Sequence, residues 1–345
     1  MKTLLVLLVC LAAAAGATAI LLVQRVDQPF KGYADAEQLV EIPSGLGTNA
    51  IGQRLVDAGV VRDTITYRVA LWLSGDATRL QAGEYRFDRS ITAREVVGKI
   101  VRGDVDQVGI TFPEGRTITE MAAIFEAQGF GAASSFVAAA RDGSLIAHMD
   151  PAATDLEGYL FPDTYKVSRR IDAPRLVRAM VERAGQVLTL ALRQAAADRR
   201  LTVRQLVTLA SLVEKETGQG DERRLVAAVY ANRLRIGMAL QCDPTVIYAL
   251  QRRGGYDGNL RRDDLAFDSP YNTYRYPGLP PGPIAAPGQA ALEAAANPAD
   301  VDYLYFVSRN DGSHAFSRSL EEHNRNVRRF QVQYFREARR GGKGR

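Results

Sequence analysis

Two cysteines among 345 residues cannot build a disulfide scaffold, and three histidines leave no histidine-rich metal site. There is no phosphate-cradling glycine loop, no G-x-S-x-G nucleophile elbow and no H-E-x-x-H zinc motif. No basic stripe interleaved with aromatics runs through the chain, which argues against a nucleic-acid partner. The 46% hydrophobic and 24% charged fractions are ordinary for a globular protein and exclude disordered, collagen-like and low-complexity classes. The length allows two or three compact units.

The net charge of +5 would point to an acidic partner if it were spread over the surface. It is concentrated instead. Residues 325–345 carry eight Lys/Arg and one acid, Glu337, which leaves the rest of the chain at −2. The end of the chain reads as a solvated helix running into a basic tail over residues 333–345.

Leu4 to Val23 is a run of 20 residues without charge, in which Thr18 is the only clearly polar member. A helix of that length spans about 30 Å, the hydrocarbon thickness of a bilayer. A cleaved signal peptide competes, with Lys2 as its n-region and Ala17-Thr18-Ala19 as an A-x-A site. The apolar run continues through Ile20-Leu21-Leu22-Val23, so the full spanning length favours a retained anchor. On either reading the chain beyond about residue 25 is exported. Cys10 lies within the run without the small residues a lipoprotein cysteine needs, and Cys242 reads as a small buried side chain.

Beyond a connector over residues 25–36, Glu37–Ile42 reads as a strand and Pro43-Ser44-Gly45 as a turn. Thr48–Ala58 reads as a helix stopped by Gly59. Asp63 caps Thr64–Leu73, Ala82–Phe87 is a strand, and Thr92-Ala93-Arg94-Glu95 is a capping box for a third helix. A related pattern recurs 70 residues on: Pro113-Glu114-Gly115, a capping box at Thr117–Glu120, and Gly129 as the stop. From about residue 151 the character changes. Ala173–Arg200, Thr202–Thr217 and Asp221–Ile236 read as helices, and Asp243-Pro244 opens a short one with Asp243 as N-cap. Tyr276–Gly288 holds five prolines and three glycines in 13 positions, which forbids a helix or an interior strand. Tyr303–Val307 reads as a strand, and Ser319-x-x-Glu322 caps the last helix.

In Thr202–Thr217 the apolar face is Leu206, Leu209, Ala210 and Val213, and Glu214 projects at its border. Glu216 is about 200° further round, so the two carboxylates cannot share one site on a regular helix. A carboxyl held against apolar neighbours has its pKa raised, the preparation a general acid needs. Spacing alone favours the blander reading, a solvated, charge-rich helix end. Glu157 reads equally as a turn acid or a second active-site carboxylate. Asn272, Thr273 and the tyrosines Tyr271, Tyr274 and Tyr276 suit a sugar ring and suit ordinary loop packing as well. His314 and His323 lack metal-ligand spacing and read as surface or cap residues.

Several blocks resemble the signature of the MltG-type (YceG-like) endolytic murein transglycosylases. They are Leu156–Tyr165, Leu209–Gly218, Val229–Leu234, Met238–Val246, Tyr271–Tyr274, Gly278–Ile284 and Tyr303–Val307. They occur in the family's order and span about half the chain. The resemblance implies an α+β fold. Residues 1–24 are a cytoplasmic end and transmembrane anchor, 25–36 a linker, 37–104 a LysM-like module and 105–150 a second small βα unit. Residues 151–332 are a helix-rich catalytic domain and 333–345 the basic tail. It implies that Glu214 is the catalytic residue and that no cofactor or metal is needed. Gln241, Tyr271, Asn272, Thr273, Tyr274 and Glu157 are expected along the sugar. Protonated Glu214 would donate to the glycosidic oxygen between N-acetylmuramic acid and N-acetylglucosamine, then deprotonate the muramoyl 6-hydroxyl, which attacks its own C1. An intramolecular nucleophile removes the need for a positioned water and a second carboxylate. The implied partners are peptidoglycan glycan strands, the bacterial inner membrane through residues 4–23, and peptidoglycan synthases, with the catalytic domain in the periplasm. A membrane-tethered murein hydrolase with Glu157 or Asp243 as base, and a non-catalytic glycan-binding scaffold, are the alternatives. Cys242 stands where a less reactive polar residue is expected.

Overall fold

The computed structural model describes residues 2–334 and 336, with side chains from Leu8 onward. Met1, Phe335 and residues 337–345, and with them most of the expected basic tail, lie outside the described residues. The architecture is α+β, and the chain divides into two units: Met1–Gly109 with Lys166–Arg170, and Ile110–Tyr165 with Ile171–Arg345.

In the first unit, α1 (Lys2–Val26) contains an apolar stretch, Leu8–Val26, long enough to cross a membrane and almost wholly exposed. Its last residue, Val26, is buried in the unit's core, and Arg25 pairs with Asp63 at 2.7 Å. The connector that follows is packed rather than loose. Phe30 bridges to Ile91, the Gly32 amide donates to the Gly59 carbonyl at 2.8 Å, and the Tyr33 hydroxyl donates to the Phe87 carbonyl at 2.9 Å. β1 (Gln38–Ile42) runs antiparallel to β2 (Gly83–Phe87), with Gln38 opposite Phe87 and Ile42 opposite Gly83. Val40 and Ile42, two apart, face inward as strand geometry requires. Between the strands, α2 (Thr48–Asp57) and α3 (Thr64–Ser74) bury Ile51, Leu55 and Tyr67. α4 (Ala93–Arg102) adds Val96, Val97 and Ile100 to the same core. Asp63 and the reciprocal Thr92–Glu95 box cap α3 and α4 as their sequences predict.

β3 (Val108–Thr111) pairs with β4 (Thr164–Val167), and α5 (Ile118–Ala127) and α6 (Ala133–Ala140) lie between them in sequence. The two turns read as a repeat share their backbone: Gly45 has φ 80° and Gly115 φ 73°, each after a strand and before a helix.

The stretch Ala173–Arg200 is two helices rather than one, α7 (Ala173–Val187) and α8 (Leu190–Asp198). Thr189 turns out of the helix and accepts from the Leu192 amide, starting a new one, while Arg193 donates to the released Leu188 carbonyl at 2.6 Å. α9 (Val203–Glu216) opens on a Thr202–Gln205 capping box and is buried on all sides from Leu206 to Val213. It packs against α8, α10 (Arg223–Arg235), α11 (Asp243–Arg253) and α12 (Gln289–Ala296). The N-cap of α11 is Cys242, not Asp243. Asp243 is the first helical residue, and its carboxylate accepts from the Tyr274 hydroxyl at 2.5 Å instead of capping. β5 (Tyr305–Ser308) and β6 (His314–Ser317) form an antiparallel pair, and Ser319 caps α13 (Leu320–Val327).

Candidate active site

The proline-rich segment 276–288 is fastened along one side of α9. Arg204, near the start of the helix, reaches the buried Asp150 at 2.9 Å and the carbonyls of Pro281 at 2.6 Å and Ala152 at 2.9 Å. The Ser211 hydroxyl accepts from the Ile284 amide at 3.1 Å. In the last turn of the helix, Glu214 Oε2 accepts from the Gly288 amide at 3.1 Å. Residues 204, 211 and 214 lie close to one helix face, so a single rigid element sets the path of a segment that forms no regular structure of its own.

Glu214 is half-buried. Loss of hydration raises its pKa above the usual carboxylate value. The Gly288 amide and the charges of Arg223 and Lys215 pull the other way, and the nearby Glu114 carboxylate adds to the upward push. The C-terminal turn of a helix carries partial negative charge, which also disfavours a carboxylate anion. Such a group suits general-acid catalysis. Arg223 Nε is buried without a hydrogen-bond partner among the described residues.

The other residues singled out by sequence fall into two further places. Glu157 is buried, accepting from the Ile118 amide at 3.1 Å and from the Tyr248 hydroxyl at 3.2 Å. It lines a cavity of about 400 Å³ with Asp155, Arg141, Tyr248 and Arg252. Burial pushes its pKa up to about 8, against the opposing Ile118 and Tyr248 hydrogen bonds and the Arg252 charge, and Asp155 adds to the rise. Tyr271 belongs with this group: its ring lies 5.0 Å from that of Tyr248, and Arg252 sits over both rings. Gln241 and Tyr274 line a different cavity, of about 320 Å³, with Glu216, Arg233, Asp243 and His323. Glu216 accepts from the Tyr230 hydroxyl at 2.8 Å, and desolvation raises its pKa. Glu214 lines neither cavity.

Asn272 and Thr273 are fully buried. Asn272 donates to the carbonyls of Leu265 and Phe267, and Thr273 binds the Cys242 amide and Thr245, so both spend their polar groups inside the fold. His314 and His323 are packed rather than surface residues, His314 against Glu222 at 2.6 Å and His323 stacked on Tyr305. Among the described residues, no three His, Cys, Asp or Glu side chains converge on a point that could hold a metal ion. Sequence reading missed Glu114 and Gly288 as neighbours of Glu214. Glu114 had no signal except its place in a turn, and Gly288 none except its place in the proline-rich segment.

A half-buried carboxyl held toward its acid form in the last turn of a central helix has the chemistry a general acid needs. Comparison with known proteins places the chain in a family. The YceG-like family matches residues 40–329, and the chain belongs to that family. An endolytic murein transglycosylase of Bacillus subtilis (strain 168) is 32% identical over 302 residues, covering 83% of this chain and 82% of that protein. One from Streptococcus pneumoniae (strain ATCC BAA-255 / R6) is 31% identical over 318 residues, covering 84% of this chain and 57% of that longer protein. A crystal structure of a yceG-like protein from Listeria monocytogenes superposes with a TM-score of 0.57 at 31% identity, over 85% of this chain and 99% of that one.

Proposed function

We propose that the chain is a peptidoglycan lytic transglycosylase, a carbon–oxygen lyase that cuts glycan strands endolytically at the bond between N-acetylmuramic acid and N-acetylglucosamine. The curated relatives are named for this activity. The observation that carries the site is Glu214, a carboxyl held toward its acid form at the end of a buried helix. As acid, Glu214 protonates the leaving glycosidic oxygen. As the resulting base, it takes the proton of the muramoyl 6-hydroxyl, whose oxygen closes on C1 and leaves a 1,6-anhydro end. The attacking hydroxyl belongs to the sugar being cleaved, so proximity replaces a positioned water. Released ends of this kind terminate the growth of nascent strands.

Gln241, Tyr271, Asn272, Thr273, Tyr274 and Glu157 complete the reading as the substrate-binding set. Glu157, and Tyr274 with Gln241, support it as walls of two cavities, and Tyr271 packs on Tyr248 and Arg252 of the first; Asn272 and Thr273 support it from within, by fixing the backbone of the loop that carries the tyrosines. In the same reading residues 1–24 anchor the chain in the inner membrane, 25–36 link the anchor to the exported part, and 37–104 form a LysM-like glycan-binding module. Residues 105–150 are a second βα unit, 151–332 the periplasmic catalytic domain and 333–345 the basic tail, with peptidoglycan synthases as partners. The exposed apolar surface of α1 and the strand–helix–helix–strand order of residues 38–87 support the anchor and the small module. The experiment is to digest purified murein with the full-length protein and weigh the products. Anhydro ends, lighter than reducing ends by one water, are expected. Reducing ends would make the protein a hydrolase, and uncut strands would make it a scaffold.

A further inference from the structure

The mechanism uses one carboxyl group, yet a second one meets the same small piece of backbone. Glu114 lies in the turn between β3 and α5. That turn is pinned from two sides. The Gly115 amide donates to the Ala286 carbonyl at 2.8 Å and the Ala286 amide to the Arg116 carbonyl at 2.9 Å, while Lys215 on α9 donates to the Gly115 carbonyl at 3.3 Å. Gly288 has φ −74° and ψ 169°, a conformation open to any residue, so its backbone does not call for glycine. The space does. A Cβ built on Gly288 would fall onto the carboxyl group of Glu114, colliding with Oε1 and Cδ and lying 2.6 Å from Oε2. The missing side chain is the cradle in which the Glu114 carboxylate rests, and the amide of the same residue binds Glu214.

We propose that Glu114 is a positioning residue of the site, acting on Glu214 across Gly288. The inference rests on Glu214 being the acid. The charged groups that face Glu214 are Lys215 on its own helix, Arg223 at the start of α10 and Glu114 on the turn. The two cations favour the Glu214 anion, and the like charge of Glu114 opposes them. Its carboxylate adds to desolvation in favouring the protonated acid before the glycosidic bond breaks, and afterwards favours uptake of the 6-hydroxyl proton. Glu114 is exposed, which makes its removal mild for the fold.

The test compares full-length wild type, Glu114→Gln, Gly288→Ala and Glu214→Gln on murein from pH 5 to 9. Glu114→Gln is expected to keep its acid-side rate within about twofold and to lose activity at lower pH than wild type. The displacement makes it severalfold slower than wild type on the alkaline side. Gly288→Ala keeps the amide, evicts the Glu114 carboxylate and reproduces the displacement, and the double variant adds nothing to it. A Glu114→Gln profile that superimposes on wild type, or one lowered equally at every pH, overturns the proposal; an inactive Glu214→Gln alongside leaves the Glu214 reading standing. Full activity in Glu214→Gln removes both.

Discussion

The amide of Gly288 and the carboxyl of Glu214 meet at 3.1 Å, joining an irregular, proline-rich segment to the last turn of a buried helix. The segment's position near Glu214 is therefore set from α9, through the Arg204 and Ser211 contacts as well as this one.

The pH dependence follows from the direction in which Glu214 is shifted. In the proposed role only the protonated form donates, and its pKa is raised above 4.5. Activity should hold a plateau below the folded-state value and fall about tenfold per unit above it. Initial rates of anhydro-end formation across pH check this; a profile still flat at alkaline pH would count against the acid role.

Glu157 makes a prediction about stability. Its folded-state value of about 8 lies above the 4.5 of an exposed glutamate. Below pH 4.5 both states are protonated and the fold bears no cost. Between pH 4.5 and 8 the unfolded chain ionises first, and stability declines by an amount on the order of a few kcal/mol. Glu157→Gln keeps an acceptor for the Ile118 amide and should flatten this decline. Thermal unfolding at pH 5 and pH 8 measures it, and equal slopes for wild type and variant would refute it.

Arg204 neutralises the buried Asp150, which also accepts from the Tyr159 hydroxyl at 2.8 Å. Arg204→Met leaves that carboxylate uncompensated and frees the Pro281 carbonyl, so it should cost about 3–5 kcal/mol. Activity should fall with stability, because Ile284 and Gly288 lie on the same segment. A denaturant midpoint within error of wild type would show that the bridge holds nothing.

The junction of α1 with the first unit sets where a soluble fragment can begin. Val26 is buried and Arg25 is paired with Asp63. A fragment starting at Gln24 should be more stable than one starting at Gln28 by about 1.5–3 kcal/mol, most of it from Val26 burial, with little from the exposed ion pair. Urea midpoints of the two fragments decide it.

Local signals carried much of the fold. Asp63, Thr92, Thr117 and Ser319 each cap the helix that their spacing announces. They failed at Leu188-Thr189, where no glycine or proline marks the break and only the Thr189 cap and Arg193 hold it. They also failed at Asp243, whose carboxylate finds a hydroxyl 31 residues away more accessible than its own helix end. Glu214 lay at the border of an apolar face, where spacing alone read a solvated helix end, and it was the resemblance of Leu209–Gly218 to the family signature that singled it out. Its surroundings did not stand out, because Glu114 and Gly288 lie 100 and 74 residues away in irregular segments, and their meeting depends on backbone bonds between those segments. The parting of Tyr271 from Tyr274, only three residues apart, was equally hidden, since one ring packs on Tyr248 and Arg252 while the other lines a cavity with Gln241 and Glu216.

The most direct test is the mass of the glycan ends released from murein by wild type and by Glu214→Gln, the latter first shown to melt with wild type. The account predicts 1,6-anhydro ends from wild type and a loss of at least about a hundredfold in the variant. Reducing ends from wild type, or undiminished anhydro ends from Glu214→Gln, would contradict it.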